Sequence, residues 1–276
     1  MTKRASVVSI CHGGGPLPVL GDPEHAALTK SMSTRVPKIL KLGTSEAPRA
    51  IVLVTAHWSE SQPTISNASF HSLYYDYRGF PAESYELKYR APGSSEVAEE
   101  VSNVLKGAGF QPQMDEIRGW DHGVFIPMLL INPKGDIPIV QLSVLRSASP
   151  KDHFEMGKAL AQLRDSGVAI IGSGSPTLHN LSAMFSGQLR EENFRRKILE
   201  WSDRLTKTIS IKEMEERGKA LAGFRSWVGS KEAHPVGGGV EHFLTLVVCA
   251  GAGGDGDAGA FGDDLMGLKQ FMYYWT

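Results

Sequence analysis

Short apolar runs of strand length alternate with amphipathic stretches along most of the chain. Residues 6–11, 50–55, 137–144 and 168–172 are rich in β-branched side chains and read as strands. Ile51-Val52-Leu53-Val54 and Val168-Ala169-Ile170-Ile171 are apolar at consecutive positions, the pattern of strands covered on both faces. Helical periods lie between them: Val97, Val101, Val104 and Leu105 within 94–106, and Met156, Leu160 and Leu163 within 152–163. Residues 191–209 carry the clearest stripe, Phe194, Ile198, Trp201 and Leu205, and 211–221 continues the helical section. Residues 240–250 are almost wholly apolar beyond Glu241 and His242 and predict a buried helix, and 265–275 predicts a closing strand. The glycine-rich, acidic stretch 251–262 predicts a mobile loop with no packed core. This alternation predicts an α/β fold: one domain over 1–276, with a central, mainly parallel sheet flanked by helices.

Composition narrows the partners. Among 276 residues, 29 Lys and Arg face 30 Asp and Glu, a formal charge of −1, which removes the electrostatic case for nucleic acid or an anionic membrane. A 41% hydrophobic, 21% charged chain is not a disordered one. Cys11 and Cys249 are too few for a disulfide framework or a thiolate metal cage. The start of the chain lacks a secretory pattern and no apolar run reaches membrane-spanning length, so the expected setting is reducing and cytoplasmic.

The histidines change the picture most. His12 follows the first strand, His57 the second, and His179 the strand at 168–172. Ligands of α/β sheets bind beyond the carboxyl ends of strands, so these three are expected on one rim. His122 opens the apolar run 124–131, where a helix N-terminus favours a neutral imidazole; the alternative is a cap made by Asp121 with His122 incidental. His242, behind Glu241, opens the buried helix and either caps it or binds something. His234 is a rival ligand or, preferably, a substrate-side residue, whereas His25 and His153 read as solvated and His71 as part of a polar turn. Trp58, Tyr85 and Phe80 can wall a flat aromatic slot, although each taken singly reads as core packing.

Other chemistries find little support. No carboxylate spacing suggests a glycosidase pair, and Gly172-Ser-Gly-Ser-Pro176 lacks the Gly-x-Ser-x-Gly order of a nucleophile elbow. The glycines after His12 lack the lysine ending of a phosphate loop and fit better a close approach of backbone to ligand.

HGGGP at 12–16, TAHW at 55–58, RGFP at 78–81, YRAPGS at 89–94, WDHG at 120–123, VQLSV at 140–144, GSGSPTLHN at 172–180 and EHFLTL at 241–246 occur in one order. Over essentially the whole chain this order resembles the class III extradiol ring-cleaving dioxygenases of the LigB superfamily, in the branch similar to 4,5-DOPA dioxygenase. The resemblance implies Fe(II), with Zn(II) as the alternative bound metal, on His12, His57 and His242. It also implies His179 as catalytic base and His122 beside the oxygen and substrate. The expected activity is extradiol cleavage of a catechol with both atoms of dioxygen incorporated. Glycine stands where serine is more usual after His12, and Gly237–Gly239 is an insertion; both bear on substrate identity. Two alternatives stand beside this reading: a zinc-dependent hydrolase on the same histidines, and a Memo-like binding protein that keeps the fold without the activity.

Overall fold

The computed structural model describes residues 4–276. In chain order its elements are β1 (Val7–Cys11), α1 (Ala26–Ile39), β2 (Ala50–Glu60), β3 (Thr64–Ser66), α2 (Ser95–Gly107), β4 (Gln113–Asp115), α3 (His122–Ile131), β5 (Ile139–Leu145) and α4 (Pro150–Leu160). There follow β6 (Val168–Gly174), α5 (Leu181–Ser186), α6 (Glu192–Ile209), α7 (Met214–Ala222), α8 (Ser230–Ala233), α9 (Val240–Ala252), β7 (Gly259–Leu265) and β8 (Leu268–Trp275). The strands form one sheet of order β4-β3-β5-β2-β6-β1-β8-β7. Its centre, β5-β2-β6-β1, is parallel throughout, whereas β3 and β8 join it antiparallel. The fold is the expected single α/β sheet with helices on both faces.

The uninterrupted apolar runs follow from that burial. Val52, Val54 and Ile170 belong to the layer packed against α2, α4, α6 and α9, while Ile51, Leu53 and Ile171 belong to the layer packed against α1 and α3. A two-residue period therefore serves two cores at once. No helix among the described residues is long and apolar enough to cross a membrane.

Three expectations are corrected. β2 does not stop at Thr55 but runs to Glu60, with its register on β5 shifting between Thr55 and Ser59. The 251–262 stretch is not a free loop: Ala252 closes α9, Gly253 and Gly254 are buried, and Gly259–Leu265 pairs with β8 as an antiparallel hairpin. Glycine composition hid a strand whose backbone, rather than its side chains, supplies the pairing. His25 and His153 are buried, not solvated. His153 accepts from Leu145 N at 2.9 Å through Nε2 and donates to Ser149 O at 2.7 Å through Nδ1, and burial holds its ring down to about 4. His25 accepts from Gly14 N at 3.0 Å through Nε2, so it braces the glycine turn after β1. The helix Ala26–Ile39 had no counterpart among the predicted elements; Leu28, Met32 and Val36 form a narrow stripe that ends beside Pro37.

Helix α9 lies unusually close to β6 because the strand offers glycine there. A Cβ on Gly174 would stand 2.2 Å from the His242 carbonyl oxygen and 2.5 Å from Thr245 Oγ1. Gly174→Ala is therefore expected to push α9 off the sheet and to lower stability by about 1–3 kcal/mol, the usual cost of overpacking. Urea unfolding checks this, and an unchanged midpoint would show that the helix can retreat freely.

Candidate active site

Five imidazoles meet at the carboxyl end of the parallel strands. His12 follows β1, and its backbone N donates to Gly174 O at 3.0 Å. His57 sits inside the register shift of β2, where the strand advances from Thr55 to Ser59 while β5 advances from Ser143 to Val144, and unpaired residues of this kind bend a strand and re-aim its side chains. His122 is the first residue of α3 and His242 the third of α9. His179 lies in the loop after β6, anchored by its N–H to Ala233 O at 2.9 Å, with Asn180 capping α5 behind it. The ring of His179 stacks on His242 with centroids 3.4 Å apart and planes 7° from parallel, and the His57 and His122 centroids are 3.9 Å apart.

Neighbouring groups decide which nitrogen each ring presents. The single Ser173 hydroxyl proton goes to Gly123 O, so Ser173 Oγ can only accept from His12 Nδ1, at 3.0 Å. Glu241 Oε1 accepts from His242 Nδ1 at 3.2 Å. Both rings therefore turn an unprotonated Nε2 to the centre. There His57 Nε2 lies 3.2 Å from His12 Nε2 and 3.3 Å from His242 Nε2. On the His122 side, Asp76 Oδ1 accepts from Nδ1 at 2.8 Å and from the His122 backbone N at 3.0 Å, while Asp76 Oδ2 stands 3.8 Å from His57 Nδ1. Asp121 stands at the N-cap of α3, but the carboxylate that caps the first turn is that of Asp76. Asp121 is fully buried and instead accepts from Thr55 Oγ1 and Gln141 Nε2, each at 2.7 Å.

This donor set fits a cation. A proton on His57 Nε2 can satisfy one facing lone pair, not two, so a second lone pair is left turned to the centre. Burial first, and the crowding of the other imidazoles second, hold His12 and His242 well below the ordinary histidine value; His57 follows, against the opposing pull of Asp76. Neutral, buried, convergent imidazoles are ligands in waiting. Nitrogens about 2.1 Å from one ion, at angles between octahedral and tetrahedral, stand roughly 3.0–3.4 Å apart, as these two pairs do. Two further groupings overlap this one: the donor atoms of His12, His57 and His122, and separately those of His179, Glu241 and His242, lie within 4.8 Å of one another.

The cluster forms one wall of a cavity of about 500 Å³, which also has Tyr77, Phe80, Met184 and Phe185 in its lining. Three residues expected on the substrate's side stand outside it. His234 is fully buried, its Nδ1 3.2 Å from Gly239 O and its Nε2 3.1 Å from Pro176 O, wedged against Trp201 and Phe243. Burial pushes its ring down to about 3, so it has one N–H to donate, which goes to one of the two carbonyls, and neither nitrogen faces the cavity. Trp58 is 3% exposed, donates to Glu60 Oε1 and lies under the Arg118 guanidinium. Tyr85 stands behind Tyr77, 5.4 Å away between ring centroids. Only Phe80 of the predicted aromatic slot reaches the cavity. His71 is half-buried, stacked on Trp120, with Nδ1 3.0 Å from Arg118 O. The Gly237–Gly239 insertion does approach the site: a Cβ on Gly239 would stand 2.4 Å from His179 O.

Asp76, Ser173 and Glu241 are the site residues that sequence reasoning passed over. Glu241 adjoins His242, and Ser173 falls within the Gly-Ser-Gly-Ser-Pro run, so both carried a local signal. Asp76, 46 positions before His122, carried none.

The family model described as the catalytic LigB subunit of aromatic ring-opening dioxygenase matches residues 10–266. A protein named dioxygenase tasH from Hapsidospora irregularis is 44% identical over 281 residues, covering 98% of this chain and 85% of its own. A protein named 4,5-DOPA dioxygenase extradiol from Portulaca grandiflora is 33% identical over 214 residues, 75% of this chain and 74% of its own. A crystal structure of an Escherichia coli K12 protein shares the fold at a TM-score of 0.74 and 24% identity, covering 99% of this chain and 100% of that one.

Ser173→Ala removes the acceptor that sets the His12 tautomer. Metal affinity is expected to fall by roughly 10–100-fold, the usual effect of losing such a supporting hydrogen bond. Competition against a chromophoric chelator measures this, and wild-type affinity would mean that the ring needs no fixing.

Proposed function

The chain belongs to the LigB family and is an extradiol aromatic ring-opening dioxygenase; we propose that His12, His57 and His242 hold its metal, that the metal is Fe(II), and that a catechol is the substrate. The observation that carries the ligand assignment is the convergence of three Nε2 atoms, two of them, on His12 and His242, in rings whose Nδ1 is already held by Ser173 and Glu241. Fe(II) is preferred to Zn(II) because zinc has no redox chemistry, whereas both suit imidazole. Bound there, it would supply a redox-active Lewis acid with open positions for two catechol oxygens and dioxygen. Ferrous iron and the free, buried Cys11 and Cys249 suit a reducing, cytoplasmic setting.

The protein's own groups then position and move protons. His179 lines the cavity, and burial, aided by His122, pushes its ring down to about 4, so at neutral pH it is uncharged and able to accept. Its Nδ1 is buried beside Gly239 and has no hydrogen-bond partner among the described residues, so Nε2 is the nitrogen left for a substrate. We assign it the proton of the catechol's second hydroxyl, returned as the ring opens. His122, tied through Nδ1 to Asp76, keeps Nε2 for the oxygen side of the substrate. Burial raises the Asp76 carboxyl, but the His122 hydrogen bond and charge outweigh it and hold Asp76 below its ordinary value. The apolar remainder of the cavity keeps water from these exchanges. The hydrolase and binding-protein readings are not retained, since the relatives are named dioxygenases.

His57→Ala is expected to lose the metal, whereas His179→Ala is expected to keep it and lose about 10²–10⁴-fold in turnover. Metal content by elemental analysis and oxygen uptake on Fe(II)-loaded protein separate the two, and equal metal loss would make His179 a ligand. Wild-type protein should consume one dioxygen per catechol opened. Turnover of the catechol without oxygen would sink the proposal.

A further inference from the structure

The cavity's imidazole wall occupies only one end of it. Its volume, about 500 Å³, is that of a site for a drug-sized ligand, larger than one six-membered ring requires. Away from the histidines its side chains are Leu17, Phe80, Leu181, Met184, Phe185 and Leu265, among others, and none of the lining residues is an aspartate or glutamate. The nearby carboxylates are committed elsewhere, Asp76 to His122 and Glu241 to Gly239 N and His242. The one charged side chain in the lining is Arg78, exposed and without a hydrogen bond or ion pair among the described residues. At the mouth, short helix α5 leaves Leu181 53% and Phe185 84% exposed, apolar surface that the free protein does not cover.

We infer that this site selects catechols bearing a long apolar substituent, with an anionic end favoured at Arg78, and disfavours catechols bearing an ammonium group. The inference rests on the dioxygenase reading for its catechol end and on the cavity for its other end. A substituent lying along Leu17, Met184 and Phe185 gains affinity by burial, about three- to fourfold for each methylene until the space is full. An exposed guanidinium contributes less, about fivefold at most. Apolar length therefore dominates, and Arg78 sets the sign of charge that is tolerated. An ammonium group carried inward would lose its water and meet no carboxylate, a heavy penalty. The amino-acid side chain of DOPA carries such a group, so relatives named for DOPA are expected to differ from this chain in preference.

The test is anaerobic calorimetric binding to Fe(II)-loaded protein, where no turnover can occur. The probes are 4-methylcatechol, 4-hexylcatechol, 6-(3,4-dihydroxyphenyl)hexanoate, dopamine and L-DOPA. Hexylcatechol should bind at least about thirtyfold tighter than methylcatechol, a conservative share of five added methylenes. Dopamine and L-DOPA should bind more weakly than methylcatechol. Phe185→Ser should shrink the hexyl-to-methyl ratio, and Arg78→Gln should shrink the hexanoate-to-hexyl ratio by up to about fivefold; ratios are insensitive to loss of folded protein. Equal binding of methyl and hexyl probes, or preference for dopamine or L-DOPA, overturns the inference. Oxygen uptake with the same probes is scored separately. Ordered binding without uptake defeats the dioxygenase assignment alone, and uptake without order defeats the selectivity alone.

Discussion

The site depends on rings that cannot turn. A buried imidazole with both nitrogens unassigned would settle on whichever neighbour accepted a proton, and five such rings together would pair with one another. Ser173 and Glu241 prevent this by claiming the Nδ1–H of His12 and His242, and Asp76 does the same for His122. What is left faces inward as lone pairs, an arrangement that a divalent ion satisfies. Stability and metal binding are thereby linked, since whatever binds the folded state alone stabilises it.

The fold delivers four of the five rings from four directions through backbone devices. Strand β1 ends at His12, and the register shift in β2 presents His57 from within a strand rather than after one. Helices α3 and α9 bring His122 and His242 by their first turns. The close seat of α9 on Gly172 and Gly174 fixes how far His242 reaches; at Gly172 an added Cβ would stand 2.5 Å from Thr245 O. Packing of the two cores and geometry of the site are therefore one problem: a helix that shifts off the sheet carries His242 with it.

The sequence made legible what its periodicity encodes. The consecutive apolar runs in Ile51–Val54 and Val168–Ile171 revealed a sheet covered on both faces, and the strand-end positions of His12, His57 and His179 pointed to one rim. Long-range pairing escaped it. The bulge at His57 depends on β5 alongside, Asp76 meets His122 only through the folded 67–81 segment, and Gly259–Leu265 becomes a strand because β8 offers it a partner. Likewise, charged neighbours suggested water around His153, but its ring turns inward to the Leu145 N–H, a donor that chain order does not reveal. Attraction of function to every histidine misled at His234, where two carbonyls, not a ligand, occupy the nitrogens.

Behind the rings lies a buried ionic arrangement that stability alone does not explain. Asp121 has no exposure; desolvation and the nearby Asp76 push its carboxyl up, against hydrogen bonds from Thr55 and the charge of Arg118. Arg118 donates to both Asp121 Oδ2, at 3.2 Å, and the His57 carbonyl, at 3.0 Å, while its guanidinium lies 4.9 Å from the Trp58 ring. Well-packed apolar residues would commonly serve stability as well or better, whereas deleting one partner of such a pair costs about 3–5 kcal/mol. The benefit lies in direction. Thr55, His57 and Asp121 are joined across the irregular part of β2, where regular pairing to β5 lapses and cannot hold the backbone. The charge pair replaces those missing ladder bonds, and with them it fixes the angle at which His57 enters the cluster.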